Sequence, residues 1–238
     1  MALAGRTLRV PFFEIGPKSY LFGDEVLDLA LAADRASVTY DIDILFTAPV
    51  VDLRRIAQAA KHLFVLAPHM DPLVPGRGLA DLLGESLAAA GAFGVMLNHC
   101  EKPLSLGALE KTILRAQEVG LFTVVCTDTI AQASAAAHFH PGVIVTEPAE
   151  LIGTGQTSDL SWVKTAIDAV KSVDGEILVL QGAGISSGQD VYKVIFAGAE
   201  ATGSSSGIVK APDRGAMIDE MIRAVREAWD ARHKGELT

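Results

Sequence analysis

Acidic, cationic and imidazole side chains recur at one kind of place in this chain, just past short apolar runs rich in β-branched residues. In order they are Lys18, the stretch Pro68-His69-Met70-Asp71, the stretch Asn98-His99-Cys100-Glu101, Asp128 and Glu147. A carboxylate can take a proton from carbon, and an imidazole or ammonium can stabilise the oxygen on which charge then develops. Together such groups suit proton transfer beside a carbonyl. Each alone also has a plainer role, as a solvated loop residue or a hydrogen-bonded rim histidine, so it is their convergence that points to chemistry. Three glycine-rich segments follow later runs: Gly153-Thr154-Gly155, Gly182-Ala183-Gly184 and Gly203-Ser204-Ser205-Ser206-Gly207. Glycine lets backbone N–H groups approach an anion closely, so these segments either cradle a phosphate or form tight turns.

Something must bring these groups together, and the alternation of patterns says what. Strand-like runs at 8–15, 38–46, 62–67, 93–98, 121–126, 143–146, 176–181 and, more weakly, 199–204 alternate eight times with segments of helical period. The helical segments include 24–35, 105–119, 158–173 and 213–232, and Asp24, Ser105, Ser158 and Asp213 stand where each can cap the first turn. An open doubly wound sheet would carry a G-x-G-x-x-G turn after an early strand, and Gly16-Pro17-Lys18 does not supply one. Eight β/α units in 238 residues have the dimensions of a (β/α)₈ barrel. Such a barrel gathers the residues following its strands at one mouth. The expectation is one TIM-barrel domain over 1–238 with its active site there.

Composition narrows the partners. A formal net charge of −9 excludes a typical nucleic-acid binder, which needs concentrated Lys and Arg. With 50% hydrophobic residues there is a large core, yet no apolar run approaches the roughly 20 residues of a membrane span. The start MALAGRTLRV is too short and polar for a secretory leader, so a cytoplasmic location is expected. Cys100 and Cys126 read as reduced thiols. The histidines have no coherent ligand spacing, so no metal is expected.

The segments from Gly94 to Glu101 (G-V-M-L-N-H-C-E), from Glu147 to Gly155 (E-P-A-E-L-I-G-T-G) and from Gly182 to Ser186 (G-A-G-I-S) strongly resemble the triosephosphate isomerases, particularly their short archaeal form. The resemblance spans nearly the whole chain. It implies a cofactor-independent aldose–ketose isomerase acting on glyceraldehyde 3-phosphate and dihydroxyacetone phosphate, with a place in glycolysis or gluconeogenesis. It further implies that Glu147 is the catalytic base, His99 the electrophile, Lys18 the substrate-binding cation and Glu101 a supporting acid. Gly153, Gly182, Gly184, Ser205 and Ser206 match phosphate-binding positions, and 148–155 would close as a lid that excludes water. A homodimer or homotetramer is implied, with the long third loop, 68–79, reaching a neighbouring subunit.

Three departures bear on substrate. The family carries Asn-x-Lys after its first strand, and here Gly16-Pro17-Lys18 lacks the Asn. Alternation puts Glu14 on the same side as Lys18, where it is a partner for Lys18, a substrate-facing group, or the sign of a shifted register. Arg77 on the third loop is either a further substrate cation or a solvated or intersubunit one. The polar last strand offers either extra phosphate donors or turn-forming serines. These features keep open a paralogue acting on a tetrulose phosphate. A decarboxylase or aldolase on the same barrel, with Lys18 as its amine, and a non-catalytic phosphosugar binder are the other readings.

Overall fold

A computed structural model gives the protein's structure and describes residues 6–148, 160–182 and 184–234. Eight parallel strands among these residues close into a barrel in sequence order: β1 (Phe12–Ile15), β2 (Asp43–Thr47), β3 (Phe64–Ala67), β4 (Gly94–Leu97), β5 (Phe122–Thr127), β6 (Val143–Thr146), β7 (Leu178–Gln181) and β8 (Ala201–Ser204). Between and after them run α1 (Gly23–Tyr40), α2 (Leu53–Ala59), α3 (Gly84–Ala90), α4 (Leu106–Val119), α5 (Ile130–Ala137), α6 (Leu160–Lys171), α7 (Gly188–Phe196), α8 (Ser206–Val209) and α9 (Arg214–Lys234). Every strand is short and almost wholly buried, because one face meets the barrel interior and the other meets helices.

The two-residue period of each strand sorts its side chains into those two layers. Phe12, Leu45, Phe64, Leu66, Met96, Val124, Cys126, Val143, Val145, Leu180 and Ala201 cluster inside the barrel. Phe13, Ile15, Ile44, Phe46, Val65, Val95, Val125, Ile144 and Val179 pack outward against helix residues such as Val26, Ile113, Val191 and Ile222. Continuing the inward parity past the interior layer leads to Glu14, Thr47, Glu147, Gly182 and Gly203. Strand pairing thus decides which side chains reach the mouth.

The second strand differs from the 38–46 expected. Val38 and Tyr40 belong to the last turn of α1, and the strand runs from Asp43 to Thr47. β-Branched and aromatic residues suggest strand, but here the helix continues until Asp41, whose left-handed backbone (φ 50°) returns its N–H to the carbonyl of Ser37. Asp24 also proves not to be a cap. It lies inside the first turn of α1 and pairs with Arg55 at 2.6 Å, while Asp52 accepts the N–H of Gly23 at 3.1 Å. Ser105 and Asp213 do cap their helices, accepting from the N–H groups of Ala108 and Ala216. Ser158 lies outside the described residues.

Beneath the barrel, α9 and the segment before β1 both tie to the turn between α1 and β2. Arg226 on α9 donates to the carbonyls of Tyr40 and Asp41, at 3.2 and 2.6 Å. Arg9, just before β1, bridges Asp41 and Asp43 at 3.0 and 2.8 Å. These polar ties close the face opposite the chemistry.

Candidate active site

A cavity of about 980 Å³ opens at the C-terminal ends of the strands. Its floor is the uppermost interior layer, Met96, Cys126, Val145 and Leu180. Lys18, His99, Glu101 and Glu147 all line it, as do Gly182, Gly184, Ser205 and Ser206. Sequence reasoning therefore converges on one space for these eight residues. Gly153 lies outside the described residues. Arg77 does not line the cavity and is exposed on the loop after β3. His69 and Asp71 pair with each other at 3.2 Å, and Asp71 pins that loop by accepting the N–H of Leu82.

The loop after β4 fixes the imidazole and its proton. Asn98 adopts a left-handed backbone (φ 58°), donates to the carbonyl of Cys126 at 2.9 Å and accepts the N–H of Leu104 at 2.9 Å. The turn then brings the N–H of Glu101 to His99 Nδ1 at 3.1 Å. Because Nδ1 accepts, the neutral ring carries its proton on Nε2. Burial, reinforced by the charge of Lys18, lowers the His99 pKa below its usual value, against the opposing pull of Glu101 and Asp128. The ring is a neutral hydrogen-bond donor at neutral pH.

Lys18 reaches the cavity by a turn rather than by the pleat. The strand stops at Ile15, the Tyr20 N–H returns to the carbonyl of Pro17, and Lys18 itself is left-handed (φ 49°). Its ammonium pairs with Glu101 at 3.3 Å, so the pairing of Lys18 with Glu14 that alternation left open is replaced by one with Glu101. Glu14 does face the barrel interior, 9% exposed, and accepts a hydrogen bond from Thr47 at 2.6 Å. Burial pushes its carboxyl up to about 7, with the charge of Glu147 adding to the rise, while the Thr47 hydroxyl and Lys18 pull the other way.

Glu147 sits one residue beyond β6, its N–H held by the carbonyl of Thr127 at 3.0 Å. Beneath it the buried Gln181 side chain ties β6 to β7, accepting from Thr146 Oγ1 at 2.8 Å and donating to the Thr146 carbonyl at 3.0 Å. Gly182 gives the carboxylate its room: a Cβ there would lie 3.1 Å from both Cβ and Cδ of Glu147. On the far side the loops after β7 and β8 are locked together. Ser204 Oγ donates to the Ile185 carbonyl at 2.8 Å, and a Cβ on Gly207 would lie 2.7 Å from both that carbonyl oxygen and Ser204 Oγ. Thr202 likewise donates to the Gln181 carbonyl at 2.7 Å. The hydroxyls of β8 thus staple it to its neighbour. Ser205 and Ser206 open α8, where the first N–H groups have no intrahelical acceptor.

Sequence reasoning missed Thr47, Gln181 and the bracing role of Asn98. Thr47 fell just beyond a strand read as ending at residue 46, and Gln181 signalled itself only as an amide closing an apolar strand.

The model of the triosephosphate isomerase family matches residues 18–221. The chain belongs to the triosephosphate isomerase family. Its similarity to the triosephosphate isomerase of Methanosarcina mazei is 34% identity over 220 residues, covering 90% of this chain and 99% of that protein. To the triosephosphate isomerase of Methanocaldococcus jannaschii it is 35% over 206 residues, covering 85% and 94%. To that of Methanothermus fervidus it is 34% over 203 residues, covering 84% and 91%. The family match begins at Lys18, immediately after Gly16 and Pro17. Triosephosphate isomerases are intramolecular oxidoreductases, and the eight-stranded barrel is the fold the family name implies. Among the described residues no helix is long and apolar enough to cross a membrane.

Proposed function

We propose that this chain is an aldose–ketose isomerase that interconverts glyceraldehyde 3-phosphate and dihydroxyacetone phosphate by proton transfer through an enediolate. The observation that carries it is the Glu101 N–H on His99 Nδ1, which aims a neutral Nε2–H donor from the same cavity that Glu147 lines. Glu147 takes the proton from the carbon beside the carbonyl. His99 and Lys18 stabilise the two oxygens as charge moves onto them, and Glu147 returns the proton to the neighbouring carbon. Glu101 positions both partners, through its N–H on His99 and its carboxylate on Lys18. The backbone at Gly184, Ser205 and Ser206 holds the phosphate, which fixes the carbon skeleton against the base.

The enzyme works as one barrel domain in the cytoplasm, as a homo-oligomer. The loop after β3 supports assembly: Asp71 and Arg115 brace its base, while Val74 (65% exposed) and Leu79 (94%) stand out from it as apolar contacts for a second subunit. Sedimentation velocity at micromolar concentration reads this directly. A Schiff-base aldolase fits less well, because Lys18 Nζ is engaged by Glu101 rather than held as an unpaired amine in an apolar pocket.

The test is proton exchange. The protein incubated with dihydroxyacetone phosphate in deuterated water should place deuterium on the hydroxymethyl carbon next to the carbonyl and yield glyceraldehyde 3-phosphate deuterated at the carbon beside its aldehyde, both followed by NMR. A chain that binds the phosphate without exchanging protons would be a binding protein and not an isomerase.

A further inference from the structure

The first strand carries an acid that proton transfer at Glu147 does not use. Glu14 points into the barrel with 9% of its surface exposed, and among the described residues its carboxyl takes one hydrogen bond, from the Thr47 hydroxyl to Oε1. No cation pairs with it among those residues, because the Lys18 ammonium is held by Glu101 at 3.3 Å. An ionised carboxylate so placed is short of the donors that would replace its water.

Its surroundings add a second observation. A Cβ built on Gly16 would lie 3.0 Å from Glu14 Oε1 and 3.3 Å from Ser205 Oγ, so the carboxyl and the serine before α8 border one spot with no room for a side chain between them. Gly203, the register partner of Glu14 on β8, closes another side, where a Cβ would come within 2.8 Å of the Glu14 carbonyl oxygen. The acid is wedged against the corner of the cavity assigned above to the phosphate. The charged and titratable groups turned toward it are Lys18 after β1, Glu147 after β6 and the Cys126 thiol on β5, which burial keeps neutral by raising its pKa well above the usual value. β2 and β8 present Thr47 and Gly203 to it.

We propose that Glu14 takes up a proton from solvent when the substrate's phosphate settles against Ser205 and Ser206, and returns it on release, so that the site binds phosphorylated sugar and proton together. The coupling rests on the reading of Ser205 and Ser206 as the phosphate corner. A phosphate dianion brings a further negative charge beside a carboxylate that already faces Glu147, where little water screens them. Protonation removes that repulsion. Burial already lifts the Glu14 carboxyl to about 7, so near neutral pH a modest added charge is enough to protonate it. Glu14 thus sets the charge of the phosphate corner, and the proton on carbon remains the work of Glu147.

The experiment counts protons on binding. Isothermal titration calorimetry of the full-length protein with glycerol 3-phosphate, which cannot be isomerised, is run at about pH 8 in buffers of different ionisation enthalpy. There the phosphate is already a dianion and free Glu14 is mostly ionised, so the native protein should take up roughly half to one proton per site. Glu14→Gln, which keeps the size of the side chain, should bind with uptake near zero. Thr47→Val removes the donor that favours the ionised form, so free Glu14 keeps more of its proton and the uptake should fall by at least about twofold. Native binding without proton uptake overturns the proposal, as does uptake that survives in Glu14→Gln, the result expected if Glu147 were the group that protonates. If Glu14→Gln fails to bind, Thr47→Val decides, and unchanged uptake there overturns the proposal. Absence of glycerol 3-phosphate binding by the native protein would instead remove the phosphate corner itself, and the coupling with it.

Discussion

Two of the glutamates that line the cavity, Glu14 on β1 and Glu147 after β6, differ in depth rather than in kind. Glu14 lies within its strand, fixed by pairing to Leu45 on one side and Gly203 on the other, and is almost dry. Glu147 lies one residue past its strand and is half-buried, where the chain leaves the sheet. A carboxylate at the exit can be reached by carbon-bound protons of a substrate in the cavity. One inside the strand is held too deep for that and serves as a fixed hydrogen-bonding wall. The same side chain thus takes two roles, set by a two-residue difference in its position along the strand.

The sharpest way to break this comparison is to neutralise each carboxylate in turn. Glu147→Gln should lower kcat/KM on dihydroxyacetone phosphate by about a thousandfold, the usual worth of a positioned base. Glu14→Gln should lower it by less than about tenfold. Steady-state kinetics on the two variants decides it, and the opposite ranking would exchange their roles.

A second difference is in stability. The folded Glu14 carboxyl sits at about 7 against an ordinary 4.5, so the folded chain holds this proton more tightly than the unfolded one. Its contribution is complete below about pH 4.5 and is lost as pH rises through about 7. Glutamine does not titrate. Urea unfolding should therefore find Glu14→Gln gaining about 3 kcal/mol relative to the native protein between pH 4.5 and pH 8. A gap that does not change with pH would mean that the buried carboxylate is fully compensated.

The smallest effects should come from the glycines that make room for each acid. Gly182→Ala would press on Glu147, and should cost about tenfold to a hundredfold in kcat with little change in stability. Gly203→Ala would meet the Glu14 backbone oxygen at 2.8 Å, and should instead cost about 1 to 3 kcal/mol of folding stability. Thermal melts beside kinetics would separate the two.

Much of this architecture was legible in the sequence because a barrel repeats one simple rule. Alternation located all eight strands, and parity put Glu14 on the side of Lys18 while leaving a shifted register open. It failed at Val38-Thr39-Tyr40, where local strand propensity was overruled by the packing of a longer α1. The site was legible where chemistry is carried by side chains on single motifs, as with His99, Glu101 and Glu147. It was not legible where a role depends on a neighbour distant in sequence: Thr47 on Glu14, Gln181 under Glu147, or Glu101 rather than Glu14 on Lys18. No spacing along the chain encodes those meetings. Gly182 illustrates the limit, since its type suggested an anion cradle and its position also gives space to the base.

The bolt between Arg226 and the carbonyls of Tyr40 and Asp41, together with the pairing of β1 to β8, sets an order of events during synthesis. A nascent chain meets its first strand early, but the partner that covers it arrives some 190 residues later, counting from Glu14 to Gly203. Until then Glu14 faces water and ionises as an ordinary acid. The emerging half-barrel carries a charged, unpaired edge, which discourages it from pairing with other nascent chains. Dehydration of that acid falls on the last step, when β8 pairs with β1 and the ring is sealed.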